Sequence, residues 1–193
     1  MRPLFHRFFQ SINATVVVSV LLGAPTLISA QTIASPGAPS LLAQKIQANA
    51  QAQAFFDVQD FANGEKTLEA ANRQPAGTPQ WNLESGCSLS CVASKYYGSG
   101  ARTTSATIAQ LALQQLTQAT QRFTARDDPA EVASAYELAG TIYEQMLGDR
   151  ATAEKYYATA VQLAPNAGQA AWRLARLKQS DAEAAKKIAR KGH

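Results

Sequence analysis

Residues 127–165 read DDPAEVASAYELAGTIYEQMLGDRATAEKYYATAVQLAP, and this stretch decides the fold. Asp128 can accept the free N–H groups of a first helical turn. Pro129 suits the first helical position, where its missing N–H is not needed, and Glu131 stands where a capping box puts its acid. The helix so opened should run to about Leu147, with Gly148 supplying a left-handed stop. Asp149 can cap a second helix to about Leu163, ended by Ala164-Pro165.

Working outward, Asn166 opens a third helix carrying Trp172, Leu174 and Leu177. Ser180-Asp-Ala-Glu183 is another capping-box pattern, before a short final helix. Upstream, Ile108, Leu111, Ala112, Leu116, Ala119 and Phe123 share one face of a long helix whose other face is largely Gln and Thr. Residues 80–103 read as a helix ending at Gly98 and Gly100, and Pro75 to Pro79 breaks the chain before it. From Ala52 to Asn72 the apolar set Phe55, Phe56, Val58, Phe61, Leu68 and Ala71 suggests two short helices with a turn near Gln59 to Gly64. Residues 31–50 begin as a linker and become a weak helix from about Ser40, where Leu41, Leu42, Ile46 and Ala50 can pack. No segment has a convincing β alternation, so the body is expected to be all-α.

The N-terminus differs from this body. Arg2, His6 and Arg7 lie among apolar residues, an apolar run from Ala14 to Ala24 follows, and Leu27-Ile-Ser-Ala30 precedes Gln31. That is the layout of a secretory signal peptide cut after Ala30, the apolar middle being well short of the roughly 20 residues that span a bilayer. The expected location is the periplasm, a lumen or the exterior, in a bacterial type of cell. An uncleaved anchor would leave the same body in the same compartment. The expected organisation is therefore a signal peptide over 1–30, linker and weak helix over 31–50, a degenerate helical region over 51–126, and a helix-pair region over 127–193.

Composition narrows the function. The chain has 193 residues, a formal charge of +4, 46% hydrophobic and 17% charged residues, so it is neither disordered by composition nor charged like a nucleic-acid binder. Its two histidines, His6 and His193, stand near the ends and leave the body without an imidazole for general-base or metal work. Gly98-Ser-Gly100 lacks the preceding strand and following Lys of a phosphate loop, and the acid pair Asp127-Asp128 is explained by capping. Catalysis, cofactors, metals, nucleic acid and small-molecule substrates are not expected. The aromatics at 55, 56, 61, 123, 136, 143, 156 and 157 have the helical spacing of a core.

Two stretches align with each other, Gln59 to Ala71 and Gly148 to Ala160. They share Asp60 with Asp149, Ala62 with Ala151, Glu65-Lys66 with Glu154-Lys155 and Ala71 with Ala160, and each reaches a proline shortly afterwards. With Tyr136, Gly140 and Tyr143 at first-helix positions, Gly148 at the turn, and Ala153, Tyr157, Ala160 and Pro165 in the second helix, the chain resembles the tetratricopeptide repeat (TPR) family. The match is carried by residues 134–178, with weaker traces over 52–75 and 94–126. It departs from the family in two ways: Tyr143 lies five residues before Gly148 where the family has four, and the copy at Gln59 has no clear first helix of its own. The resemblance implies a right-handed array of antiparallel helix pairs that binds a peptide or helix of another protein. Its concave face would be lined by Glu137, Thr141 and Glu144 in one unit and by Arg173 and Arg176 in the next, the two arginines gripping a carboxylate. An ordinary solvated helix face is the alternative for these residues.

Two further features invite chemistry. Cys87 and Cys91 stand as C-S-L-S-C, and in an exported chain the leading reading is a disulfide, contributing about 2 kcal/mol by loop entropy. Two helical positions four apart hold their Cβ atoms about 5–6 Å apart, against ~3.8 Å in a disulfide, so a bond requires a turn or irregular backbone here. Buried free thiols are the alternative, and redox or copper chemistry is the poorer reading because no proline follows Cys91 and no internal histidine exists. Residues 173–193 hold seven bases against two acids, whereas 31–172 hold nine against twelve. This basic end suits an anionic membrane surface or an acidic partner, or is a solvated helix whose cations complement its own dipole. A structural subunit whose helices complete a partner's core is the rival to the binding module.

Overall fold

Capping side chains and left-handed residues cut the chain into helices whose bounds the computed structural model gives for residues 41–191. The expected signal peptide and residues 31–40 of the expected linker and weak helix lie outside the described residues. The elements are α1 (Leu41–Asp57), α2 (Phe61–Ala70), α3 (Pro79–Gly98), α4 (Arg102–Arg122), α5 (Pro129–Ile142) continued by a π-helical turn (Tyr143–Leu147), α6 (Arg150–Leu163) and α7 (Ala170–Lys191). The described residues contain no strand, and the all-α expectation holds. None of the described helices is long and apolar enough to cross a membrane.

The caps are the ones that the sequence offers. Asp128 accepts from Ala130 N at 2.9 Å with Pro129 behind it, and Asp149 accepts from Thr152 N at 3.0 Å. Thr78 accepts from Trp81 N ahead of Pro79, and Asp60 from Asn63 N. The capping box at α5 is only half made, because Glu131 receives a hydrogen bond from Gln80 instead of reaching back to Asp128. Gly148, at φ 71°, ends the π turn, its N–H donating to Tyr143 O.

Each helix packs chiefly against its neighbours in sequence, giving the antiparallel pairs α1/α2, α3/α4 and α5/α6, with α7 laid on α6. One core cluster joins Ala52, Phe56, Leu68, Leu89, Ile108, Leu116 and Ile142 across α1 to α5. A second gathers Ala133, Ala153, Tyr157, Ala160, Ala170 and Leu177 from α5, α6 and α7, and Tyr143 packs against both. A buried polar net fixes the register of the first two pairs. Asn82 donates to Gln115 Oε1 at 2.7 Å, Gln115 donates to Glu65 and Glu69 at 2.9 Å each, and Arg122 donates to Asn82 Oδ1 at 3.1 Å. Stripping one member would leave buried partners unsatisfied, which is costlier than the bond itself.

Several sequence expectations need correction. Gly64 lies inside α2, not in the turn, and its missing Cβ makes room for the Phe56 ring. The copy at Gln59 does have a preceding helix, α1, whose Gln- and Ala-rich sequence hides Ala48, Ala52 and Phe56 on its buried side. The third helix of the C-terminal region opens at Ala170, not Asn166, and runs unbroken through Ser180-Asp-Ala-Glu183. Nothing there stops a helix: Asp181 pairs with Arg150 at 2.8 Å and Glu183 accepts from Gln179, one turn back. Trp172 is 59% exposed and so stands off the packed face assigned to it.

Candidate functional site

The cleft between α5 and α7 is built on a glycine. Gly140 faces the buried ring of Tyr157, whose Cδ1 would lie only 2.8 Å from any added Cβ, so this contact admits only glycine without a shift. The close approach lets Tyr157 cross beneath α5 and carry its hydroxyl to Glu144 Oε2 at 2.8 Å, with Thr141 Oγ1 at 3.3 Å. Burial, reinforced by the charge on Glu144, pushes the Tyr157 hydroxyl up to about 12, so it is a proton donor throughout the ordinary pH range.

Glu144 itself belongs to the π turn. A π turn accommodates one residue more than an α turn, and here it fills the chain between Tyr143 and Gly148. From this turn Glu144 reaches two arginines of α7. Arg176 Nη2 contacts its Oε1, and Arg173 Nη1 lies 3.9 Å from its Oε2. The Glu144 side chain is only 12% exposed, so these charges meet in a partly desolvated place where electrostatics weigh more than at an open surface. Arg176 also lies over the Trp172 ring, 5.0 Å from its centroid.

Glu137, two turns before Glu144, performs a different task. Both its oxygens accept from the Gln169 N–H, at 3.1 and 2.9 Å, at the start of α7. A carboxylate there also opposes the positive end of that helix's dipole. The structure thus brings Glu137, Thr141, Glu144, Arg173 and Arg176 into one cleft. Glu137 places α7, Tyr157, its hydroxyl also against Thr141, orients Glu144, and Glu144 holds the arginines. Two guanidinium groups face one carboxylate, and Arg173 Nε is buried without a hydrogen-bond partner. Glu144 therefore meets two cations, and with Glu137 engaged at the Gln169 N–H, Arg173 keeps a spare donor suited to a second carboxylate.

Sequence reasoning missed Tyr157 as a polar participant, having taken it for core alone, and missed Trp172 as a surface group. The signal for Trp172 was its spacing of four from Arg176, which stacks the two on one helix face.

Cys87 and Cys91 lie one turn apart on α3 as exposed free thiols, and the disulfide expectation is corrected. The irregular backbone that a bond requires is absent: α3 is continuous from Pro79 to Gly98 and keeps the two Cβ atoms at helical separation. The buried-thiol alternative fails as well. No family model, curated protein or solved structure matches the chain.

Proposed function

We propose that this chain is an exported, non-catalytic interaction module, an array of helix pairs similar to tetratricopeptide repeats, which docks a carboxylate-bearing segment of a protein partner between α5 and α7. The observation that carries this reading is the convergence of Arg173 and Arg176 on the one carboxylate of Glu144, with the Arg173 Nε donor unused. Three further facts support it: the helices pack as successive antiparallel pairs, Ala153 and Ala160 lie buried on α6 at the repeat's small-residue positions, and the π turn absorbs the one residue that departs from the family's spacing. Export rests on Met1 to Ala30, and N-terminal sequencing of the mature chain should begin at Gln31.

In this reading Glu144 is an internal stand-in for the partner's carboxylate. An incoming acid need only complete the donors around it or take its place, and the Trp172 ring offers a flat apolar surface beside them. The test is a panel of peptides with free C-terminal carboxylates set against their amidated counterparts, followed by tryptophan fluorescence with Trp172→Phe as control. Free acids should bind and amides should not. Arg173→Ala should weaken binding about tenfold or more, as expected for loss of a charge-assisted hydrogen bond, and Glu144→Gln should tighten it by removing the internal competitor. Equal binding of acids and amides would overturn the proposal.

A second reading has one observation in its favour. Residues 181–188 of α7 are all exposed, including Ile188 at 73%. A structural subunit whose last helix is covered by its partner would look like this, and would self-associate or bind through α7 regardless of Arg173.

A further inference from the structure

We propose that Cys87 and Cys91 form a two-coordinate site on the outer face of α3 for a soft monovalent cation, Cu(I). The proposal rests on spacing, accessibility and charge, and is independent of the docking cleft. Both thiols are exposed and stand one turn apart on a continuous helix, so their sulfurs share its solvent side within reach of each other. A disulfide needs sulfurs about 2.0 Å apart and is denied by the helix. One atom placed between the sulfurs is a different matter. Two metal–thiolate bonds of about 2.3 Å in line span a separation of roughly 4.6 Å, which neighbouring thiols on one helical face can supply with the backbone unmoved.

The ligand set selects the ion. Among the described residues no group of three His, Cys, Asp or Glu side chains is gathered in metal-binding fashion, so a tetrahedral zinc site has too few donors. Glu84, the nearest acid on the same helix, is engaged by Lys45 at 2.5 Å and by Arg73 at 3.8 Å. Two thiolates alone suit a soft d10 cation content with low coordination. The bound pair would carry one net negative charge, and Lys45 and Lys95 lie close enough to act on the Cys91 sulfur and offset it. On binding, Cu(I) takes a lone pair from each sulfur, and any proton still carried by a thiol leaves to solvent.

The test is an anaerobic titration of the reduced full chain with Cu(I) held by bicinchoninate, whose colour falls as the protein withdraws the ion. The expected result is one equivalent per chain, with the loaded protein eluting at the size of the apo form. Cys87→Ser and Cys91→Ser should each weaken binding by 100-fold or more. Both positions are exposed, so the far-UV circular dichroism of each variant should stay that of the parent, separating loss of ligand from loss of fold. Single variants that compete as well as the parent would overturn the proposal. So would one ion per two chains in a metal-induced dimer, and tight Zn(II) binding at one per chain would overturn the choice of ion.

Discussion

Gln59 shows what a single residue contributes to a turn. It has φ 61° where the equivalent turn before α6 has Gly148 at φ 71°, and each is followed by an aspartate that caps the next helix. A side chain in the left-handed region costs about 1–2 kcal/mol, partly offset because glycine is more flexible when unfolded. Gln59→Gly should therefore stabilise the protein by about 0.5 kcal/mol and Gly148→Gln should destabilise it by about 1 kcal/mol, read from denaturant midpoints at constant m. Equal effects of one sign at both sites would contradict the equivalence of the turns. Tyr157 makes a second residue-scale case, on pH. Unfolded, a tyrosine titrates near 10. Folded, this one is held up to about 12, so between those values the unfolded chain has given up a proton that the native chain keeps. Its contribution is fully present below pH 10 and is lost as pH rises through about 12. Tyr157→Phe should start about 1 kcal/mol less stable at pH 8, for want of the bond to Glu144, and then decline less steeply above pH 10. Parallel alkaline curves for parent and variant would refute the assignment.

At the scale of helices, legibility followed the strength of local signals. α5 and α6 were readable to within a residue or two because Asp128-Pro129, Gly148-Asp149 and Pro165 mark their ends by backbone chemistry that tertiary packing does not alter. α1 was legible only as two weaker pieces. Its sequence, LLAQKIQANAQAQAFFD, has small residues on the buried side, so the contrast between faces is faint even though Ala52 and Phe56 are fully buried. The false stop at Ser180 has the opposite cause: a capping-box pattern is permissive and gives way when helix is continuous on both sides and both acids find partners. The candidate cleft was legible as a list of residues, since helical spacing put Glu137, Thr141 and Glu144 on one face. That Glu144 would meet both arginines was not, because it depends on the π turn and on where α7 docks. α7 also yields a prediction. Among the described residues, Leu177 is its last buried one and its last ion pair to the rest is Asp181 with Arg150. A chain ending at Glu183 should match the full chain in stability within about 0.5 kcal/mol, whereas one ending at Gln169 should lose several. If the shorter trim alone unfolds the protein, residues 184–193 carry packing that the exposed side chains at 184–188 do not account for.

For the molecule as a whole, the pattern of neighbour-to-neighbour packing sets how it comes apart. In an array of helix pairs each unit is stabilised by its own interior and by the interface with the next, so stability is distributed and local opening is cheap at the ends. Here two core clusters divide the chain, and Tyr143 is packed against both, stacked on Tyr156 at 5.3 Å between ring centroids. It also begins the π turn that presents Glu144, so the joint between the clusters and the geometry of the cleft depend on the same residue. Removing the ring should cost about 2–3 kcal/mol, below the usual range for a fully buried aromatic because Tyr143 is only partly buried. The distribution of that cost is the sharper expectation. With Tyr143→Ala, amide hydrogen exchange should accelerate strongly in α6 and α7, whose cluster is small, and little in α3 and α4, which keep Leu89, Ile108 and Leu116 and the polar net around Gln115. The variant should lose carboxylate-peptide binding before it loses most of its helix, because α7 must be docked for Arg173 and Arg176 to face the π turn. Uniform acceleration along the whole chain would mean that the two clusters fold as one cooperative unit, and that the cleft can open only by global unfolding.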